Sequence, residues 1–324
     1  MSGPGPQFSI LVVSYNVAGF LERNIGSFVA STRDACEFIF VDNASQDGSA
    51  DMIAQKFPWA RLIRNQANQG FAAAVNQAAG VAAGRYLVLL NPDATPAPDA
   101  LRAALKKMER RPKAGIGGGL LTSTSGVPQP SARQFPSPLN WLLTFSGLAA
   151  KYPRSRFFGK ADRTWAPVDE DARVDWVPGA FAVVRKDVFD RLGGFDERFF
   201  LYYEEVDLCR RMERAGYEAW YWPEIKAVHE GGGSARLVPG HFSKHDAQVT
   251  LWERRSRFLY YRKHHGPRAA WLIKALEIGC HRLRIARRTG DSKKREQSLE
   301  MIRLIETAWR ETAGGAHSPP RPWN

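Results

Sequence analysis

Two stretches near the start of the chain determine the fold: FSILVVSYN at residues 8–16 and EFIFVDNAS at residues 37–45. Each begins as a run of large apolar residues and ends in polar residues that favour turns, which is the pattern of a buried strand. Between them, GFLERNIGSFVAS at residues 19–31 has the apolar spacing of an amphipathic helix. This order predicts parallel strands that are joined by a crossover helix.

The same alternation continues to about residue 125. Further strands are predicted at residues 60–65, 85–94 and 114–123, and helices at 49–57, 71–83 and 98–110. Strands separated by single helices predict an α/β fold, a Rossmann-like and mainly parallel sheet with helices on both faces. Ligands bind such sheets beyond the carboxyl ends of the strands.

The remainder of the chain departs from this rhythm. Residues 126–175 are rich in Pro, Ser, Arg and Trp and hold at most one helix, around 139–152, so we expect an acceptor loop or lid within a domain spanning residues 1–240. Residues 241–312 are expected to be helical and basic, and residues 313–324 to be a disordered tail. From residue 251 onward, 17 Lys and Arg face seven Asp and Glu, a net +10 of the chain's +13, which implies an anionic partner.

Composition and cysteine usage indicate a cytoplasmic protein. The sequence contains no run of about 18 apolar residues, so it predicts no transmembrane helix. The stretch MSGPGPQ at the start lacks the basic and apolar regions of a signal peptide. The cysteines at 36, 209 and 280 are scattered and show neither disulfide nor metal spacing.

Polar residues collect where three of the predicted strands end, at 14–16, 42–45 and 91–94. Any one of these could be a plain turn, but the topology brings all three to a common crevice. Asp42 is placed there to hydrogen-bond a ribose or base, and Asp93 could hold Mg²⁺ or Mn²⁺ against a diphosphate. His229 follows an aromatic-rich strand; it is a further ligand or an ordinary strand-end histidine.

The stretch FFLYYEEVDLCRR, residues 199–211, contains the candidate catalytic base. In a helix beginning near Tyr203, Glu205 falls in the middle of the apolar face. Burying an acid there costs free energy unless the acid has a bonding partner or a functional role. Glu204 lies at the edge of that face, and its position is explained by the helix dipole, which stabilises a carboxylate in the first turn. Asp207 falls on the opposite face, which we expect to be solvated and paired with arginines.

Several competing signatures are missing. The sequence has no G-x-x-x-x-G-K-[ST] phosphate loop, no G-x-G-x-x-G after the first strand and no G-x-S-x-G nucleophile elbow. Their absence disfavours P-loop phosphotransfer, hydride transfer and serine hydrolysis.

Six motifs in this order resemble glycosyltransferase family 2, and more narrowly its bacterial rhamnosyltransferase-like branch. They are ILVVSYN, FIFVDNASQDGS, NQGFAAAVNQA, LVLLNPDA, the segment from GAFAVVRKDVF to EEVDLCRR, and AVHEGGGS. The resemblance covers residues 8–265 and implies a GT-A fold that transfers a sugar from a nucleotide diphosphate with inversion.

The resemblance also implies roles for individual residues. Nucleotide-sugar binding is expected at Val13, Ser14, Tyr15, Asn16, Asp42, Asn43, Asn68, Gly70, Phe71 and Asn91. Asp93 matches the last acid of the family's metal motif, in which Asn91 replaces the first Asp, and His229 matches an additional metal ligand. The implied cofactor is therefore a divalent cation, Mg²⁺ or Mn²⁺.

On the acceptor side, Glu205 matches the general base, although the family usually has Asp at that position. Glu204 and Asp207 remain alternative bases. Trp176, Gly179 and Ala180, together with Glu204, are expected to shape the acceptor face, while ordinary core packing remains an alternative for Trp176.

Two other functions and two roles of the basic region stay open. The functions are a nucleotidyltransferase that makes sugar nucleotides, and a non-catalytic protein that binds nucleic acid through residues 281–295. We favour neither, and expect instead a peripheral role at the anionic inner face of the plasma membrane. Apolar residues of the basic region suit a lipid surface or helix packing equally well: Trp271, Leu272, Ile273, Leu276 and Ile278. The resemblance favours dTDP-rhamnose as donor and a glycan or polyprenyl-diphosphate-linked glycan as acceptor, with UDP- and GDP-sugars left open.

Overall fold

The structure is a computed structural model that describes residues 5–32, 35–230, 247–287 and 292–319. In these residues nine strands form one mixed sheet. The strands are β1 (Phe8–Ser14), β2 (Cys36–Asp42), β3 (Arg61–Arg64), β4 (Tyr86–Leu90), β5 (Ala94–Pro96), β6 (Ala114–Thr122), β7 (Ala172–Val174), β8 (Phe181–Arg185) and β9 (Glu218–His229).

Helices precede or follow most of these strands. They are α1 (Ala18–Phe20), α2 (Gly26–Thr32), α3 (Ser49–Lys56), α4 (Phe71–Val81), α5 (Ala100–Arg110), α6 (Pro138–Phe145), α7 (Leu148–Lys151), α8 (Lys186–Arg191), α9 (Glu204–Arg214), α10 (Ala247–His265), α11 (Pro267–Arg287) and α12 (Ser292–Glu311). A π-helical turn, Leu21–Ile25, separates α1 from α2.

The order of the strands is β3-β2-β1-β4-β8-β6-β9-β5, and β7 pairs with β9. Strands β1 to β4 pair in parallel, as predicted. The other half of the sheet is mixed rather than mainly parallel, because β8 lies between β4 and β6 and runs antiparallel to both, while β6 and β9 pair in parallel. The chain reaches β8 only after the long excursion, so the alternation of strands and helices gave no sign of its place.

Two hydrophobic cores cover the two faces of the sheet. Alternate strand residues point to opposite faces, so Leu11 and Ile39 pack on the side of α4, α8 and α9. Ile10 and Phe38 pack on the side of α2, α3 and α5. The predicted helices on both faces are therefore present.

The C-terminal helices form part of the folded body. Helices α10, α11 and α12 contact one another, and α10 lies against the segment before α9. Trp252 stacks on Phe200 at 4.2 Å, and Ser256 Oγ donates to Leu201 O at 2.8 Å. None of the described helices is long and apolar enough to span a membrane.

The apolar residues of α11 divide between two environments. Ile273 and Ile278 are buried in the helical bundle, which agrees with helix packing. Trp271 is 60% exposed and Leu272 is 40% exposed, and Leu276 is partly buried. Helix packing thus accounts for only part of this set.

Residues 313–319, expected in a disordered tail, form turns that pack on α10. Gly314 N donates to Trp309 O at 2.8 Å, and a side chain at Gly315 would meet the backbone of Phe258. The glycines permit this close contact, which composition alone does not reveal. Residues 320–324 lie outside the described residues, as does the expected domain boundary near residue 240.

Candidate active site

The carboxyl ends of β1 and β2 meet around Asp42. Ser14 follows Val13 at the end of β1 and pairs with Asp42 in the parallel register. The buried Asp42 carboxylate accepts Ser14 Oγ at 2.9 Å, Ser45 Oγ at 2.6 Å and Ser45 N at 2.9 Å. Asn16 N donates to Ser45 Oγ at 3.0 Å. Three hydrogen bonds fix the orientation of Asp42 at the crevice, where the sequence placed it.

The loop before α4 joins this group through side-chain amides. Asn43 Nδ2 donates to Gly70 O at 3.1 Å, and Gly70 N donates to Asn68 Oδ1 at 2.9 Å. Burial raises the pKa of the Tyr15 phenol, while hydrogen bonds with Asn68 and Asn16 oppose the rise. Hydrogen bonds therefore connect the predicted nucleotide-side residues that follow β1, β2 and β3.

At Gly70 this loop packs closely against the segment that precedes α9. Its φ is +84°, and a Cβ there would lie 2.6 Å from Phe200 O. Phe71 N donates to the same carbonyl at 2.8 Å. Only glycine permits both this backbone conformation and this approach.

Asp93 and His229 face each other across β5 and β9. His229 Nε2 lies 3.4 Å from Asp93 Oδ1, and Asp93 is 2% exposed. His229 Nδ1 lies 2.9 Å from Gln129 Oε1, and Gln129 Nε2 donates to His229 O at 2.8 Å. With the Nδ1 proton donated to Gln129, the Nε2 lone pair points towards the Asp93 carboxylate.

One carboxylate and one imidazole lone pair fit a divalent cation that takes its other ligands from diphosphate and water. In the described part of the chain no group of three or more His, Cys, Asp or Glu residues comes together as a metal cage. The donor set agrees with a cation brought in with a substrate diphosphate. Gln129 was not found from the sequence because it lies 100 residues away from His229.

Glu204 and Glu205 begin α9 as adjacent carboxyls, of which Glu204 is buried and Glu205 is partly buried. Burial, followed by the charge of Glu205, raises the pKa of Glu204 well above its ordinary value. Burial also raises the pKa of Glu205, while hydrogen bonds from the backbone N–H groups of Gly179 and Val206 and the charge of Arg133 act against the rise. The Oε2 atoms of both glutamates have no hydrogen-bond partner among the described residues.

Tyr202 links the two halves of the site, and the sequence did not single it out. Burial raises its pKa to about 12, with further contributions from the charges of Glu204, Glu205 and Asp93. Tyr202 and Tyr203 have φ of +68° and +70°, a backbone region that non-glycine residues seldom adopt. Such strain clusters at functional sites. Here it accompanies a phenol, that of Tyr202, which is influenced by the charges of Asp93, Glu204 and Glu205.

Asp207 is not on a solvated face, and this expectation was wrong. Its side chain is 0% exposed and lies 2.8 Å from Arg211 Nε, 2.5 Å from Lys263 Nζ and 2.7 Å from His264 Nε2. Burial alone would raise the pKa of Asp207, but these partners lower it. Helix α10 covers this face of α9, which a helical wheel cannot reveal. Asp207 is therefore an anchor between the two helices.

The residues expected on the acceptor side lie in two settings. Gly179 bonds Glu205 through its backbone N–H, and Ala180 O accepts Asn91 N at 2.9 Å, so they connect the end of β4 to the carboxyl pair. Trp176 is only 9% exposed. The Arg133 guanidinium covers its ring at 4.7 Å, and its indole N–H donates to Gln134 O at 3.0 Å. Trp176 is mainly a packing residue.

Comparisons with known proteins identify the family of the chain. The model of the family described as "Glycosyl transferase family 2" matches residues 9–193. An N-acetylglucosaminyl-diphospho-decaprenol L-rhamnosyltransferase of Mycobacterium tuberculosis is 32% identical over 255 residues, 75% of this chain and 82% of that protein. Rhamnosyltransferase WbbL of Escherichia coli K12 is 30% identical over 178 residues, 54% of this chain and 61% of that protein.

Solved structures support the fold. The mannosyltransferase PcManGT from Pyrobaculum calidifontis, in complex with GDP-Man and Mn²⁺, aligns with a TM-score of 0.55 at 18% identity, covering 95% of this chain and 87% of that one. GalNAc-T7 with UDP, GalNAc and Mn²⁺ aligns with a TM-score of 0.56 at 15% identity, covering 100% of this chain and 60% of that one. The chain belongs to glycosyl transferase family 2, has the GT-A fold and resembles the rhamnosyltransferases of that family.

Proposed function

We propose that this glycosyltransferase is an inverting L-rhamnosyltransferase of surface polysaccharide synthesis. The proposed donor is dTDP-rhamnose, and the proposed acceptor is a sugar on a polyprenyl-diphosphate carrier, as the names of its relatives suggest. One observation supports it above the others: the strand end that carries Asp93 is tied to the Glu204–Glu205 pair, because Asn91 N donates to Ala180 O at 2.9 Å and the neighbouring Gly179 N–H bonds Glu205. A leaving diphosphate and an attacking hydroxyl need such groups on opposite sides of one sugar.

The donor would lie along the strand ends. Asp42, Asn43 and Tyr15 would hold the nucleoside, because they form the hydrogen-bonded group at the ends of β1 and β2. Asp93 and His229 would hold Mg²⁺ or Mn²⁺, which when bound offsets the negative charge of the leaving diphosphate. Gln129 keeps the His229 ring oriented for that role.

Glu205 would act as the general base. Its carboxylate takes the proton of the acceptor hydroxyl while that oxygen forms a bond to the anomeric carbon. The bond from that carbon to the diphosphate oxygen breaks in the same step, so the configuration inverts and no enzyme nucleophile is needed. Burial makes the Glu205 carboxylate more basic, and the Gly179 N–H holds it in place.

The remaining parts of the chain would serve the acceptor. In this proposal residues 1–240 form the catalytic domain, residues 126–175 its acceptor loop, and the basic helices of residues 241–312 face an anionic membrane surface. A carrier lipid and a nucleotide sugar meet at the inner face of the plasma membrane, so the enzyme would work there from the cytoplasm. We expect no nucleic-acid partner.

A transfer assay tests this function. Purified protein is incubated with radiolabelled dTDP-rhamnose and a short-chain prenyl-diphospho-N-acetylglucosamine, with Mn²⁺, with Mg²⁺ or with EDTA. We expect a rhamnosylated lipid product with either metal, little with EDTA, and weak competition by UDP-glucose and GDP-mannose. Transfer from UDP- or GDP-sugars alone would overturn the donor assignment, and undiminished transfer in EDTA would overturn the metal site.

A further inference from the structure

The long excursion forms an open, cationic cavity lined by its own residues. A cavity of about 400 Å³ is lined by Gln134, Arg156, Phe157, Lys160, Arg163 and Trp165. Three of these six residues are cationic and two are aromatic, and none is acidic. Arg156 and Arg163 lie over the Trp165 ring at 4.9 Å and 5.1 Å. The walls therefore offer positive charge and apolar surface together.

The surrounding segment has the same character. Residues 151–165, KYPRSRFFGKADRTW, hold five Lys and Arg and one acid, Asp162. Asp162 is already engaged, since its Oδ1 lies 2.6 Å from Arg133 Nε. Tyr152 and Phe157 are 43% and 55% exposed. Exposed aromatic rings beside basic side chains are typical of surfaces that meet the headgroup region of a lipid bilayer.

Two hydrogen-bond donors in the cavity wall have no acceptor among the described residues. Among the described residues, Trp165 Nε1 and Arg163 Nε are buried and have no hydrogen-bond partner. Arg163 has a φ of +49°, so this donor group is built on an unusual backbone conformation. Buried donors without acceptors are costly unless a ligand or water supplies the acceptor. Phosphate oxygens are suitable acceptors for both groups.

The wall of the cavity is connected to the candidate base through Trp176 and Arg133. Gln134, in its wall, accepts the indole N–H of Trp176, and Arg133 precedes it in the chain. Arg133 lies over Trp176 and its charge acts on Glu205. An anion in this cavity would thus lie on the base side of the reaction.

We propose that this cavity binds the diphosphate of the lipid-linked acceptor, with its prenyl chain leaving along the exposed aromatic rings. The proposal rests on the proposed function, because it assigns the acceptor of that same site. The acceptor diphosphate and the donor diphosphate then occupy separate places, one beside Glu205 and one beside Asp93. Arg156 and Lys160 provide most of the specificity for the carrier, while Arg163 and Trp165 form the floor.

Binding of farnesyl diphosphate tests the assignment. Titrations by calorimetry use the full chain, with and without saturating dTDP and Mn²⁺, and are repeated with farnesol and with inorganic diphosphate. The variants are Arg156→Gln and Lys160→Gln, both on exposed positions. The matched control is Arg154→Gln, which removes an exposed cation from the same segment but not from the cavity wall.

We expect farnesyl diphosphate to bind alongside dTDP, and each cavity variant to weaken it about tenfold, the size of one charge-assisted hydrogen bond. Arg154→Gln should bind as the wild type does, and dTDP affinity should not change in any variant. Inorganic diphosphate should bind more weakly at the same place, and farnesol should not compete.

Equal losses in Arg154→Gln and Arg156→Gln would overturn the cavity in favour of diffuse charge attraction. Displacement of farnesyl diphosphate by a single-stranded oligonucleotide would also count against it. If dTDP binds and farnesyl diphosphate does not, this inference fails and the proposed function stands. If neither binds, the proposed function fails as well.

Discussion

Replacing Glu205 by Gln separates the chemical step from the architecture of the site. The amide keeps the size of the side chain and an oxygen that can still accept the Gly179 N–H. It cannot take a proton from the acceptor. We therefore expect kcat to fall by about 10²- to 10⁴-fold, which is about 2.7 to 5.4 kcal/mol of transition-state stabilisation. The KM for the donor should stay near the wild-type value, because the nucleotide side is untouched.

The same prediction has a pH signature. Burial raises the pKa of Glu205, and only the deprotonated form serves as the base. Wild-type kcat/KM should therefore rise tenfold per pH unit up to that raised pKa and then level off, with an apparent value that belongs to the pair with Glu204. Initial rates from pH 4 to 9 measure this. A Glu205→Gln enzyme that keeps more than about a tenth of wild-type kcat, while Glu204→Gln loses it, would refute the assignment.

Three further changes test other parts of the account. Because burial raises the pKa of Glu204 above its ordinary 4.5, the folded protein loses stability as pH rises between those two values, so Glu204→Gln should melt higher than wild type at pH 8 and lose that advantage below pH 4.5. Asp207→Asn should lower Tm by about 4 to 7 °C, from about 3–5 kcal/mol for breaking the ion network around a fully buried carboxylate in a chain of this length; a shift below 2 °C would contradict its role as an anchor. Gly70→Ala should destabilise far more than Gly48→Ala in urea titrations, because Gly48 has left-handed helical dihedrals (φ +83°, ψ 6°) and open space around it, whereas Gly70 (φ +84°, ψ 166°) lies in a region that essentially only glycine adopts and a Cβ there would clash with Phe200; equal losses would contradict this reading.

The C-terminal helices have a consequence for catalysis that their charge alone does not suggest. Arg257 Nε donates to Tyr203 OH at 3.2 Å, and Ser256 and Trp252 hold the residues just before it. Helix α10 thus contacts Tyr203, one of the two residues with a left-handed backbone, from outside the site. The basic region thus supports the loop that presents the carboxyl pair.

Much of the arrangement at the strand ends could be predicted from the sequence. Parallel strands bring their carboxyl ends to one edge whatever the details of packing, so Ser14, Asp42 and Asn43 were found by pattern. Asp93 was found in the same way. Helical periodicity also placed Glu205 on the inner face of its helix, because the apolar face of α9 packs on the sheet.

The rest depended on contacts between distant parts of the chain. Gln129 and Arg133 belong to an irregular loop, in which no period relates sequence to position. The surroundings of Asp207 were predicted wrongly because a helical wheel describes a single helix and does not show that α10 covers that face. Tyr202 was missed because its role comes from a left-handed backbone conformation that no residue pattern announces.

The central claim is that Asp93 holds a cation for a nucleotide diphosphate next to a separate catalytic base. Isothermal calorimetry of dTDP, with Mn²⁺ and with EDTA, tests it on the wild type, on Asp93→Ala and on the control Asp99→Ala, an exposed acid six residues away. We predict that Mn²⁺ tightens dTDP binding at least tenfold in the wild type and in Asp99→Ala, and that Asp93→Ala loses this gain. Binding that is equal with Mn²⁺ and EDTA, or no binding of dTDP at all, would contradict the account.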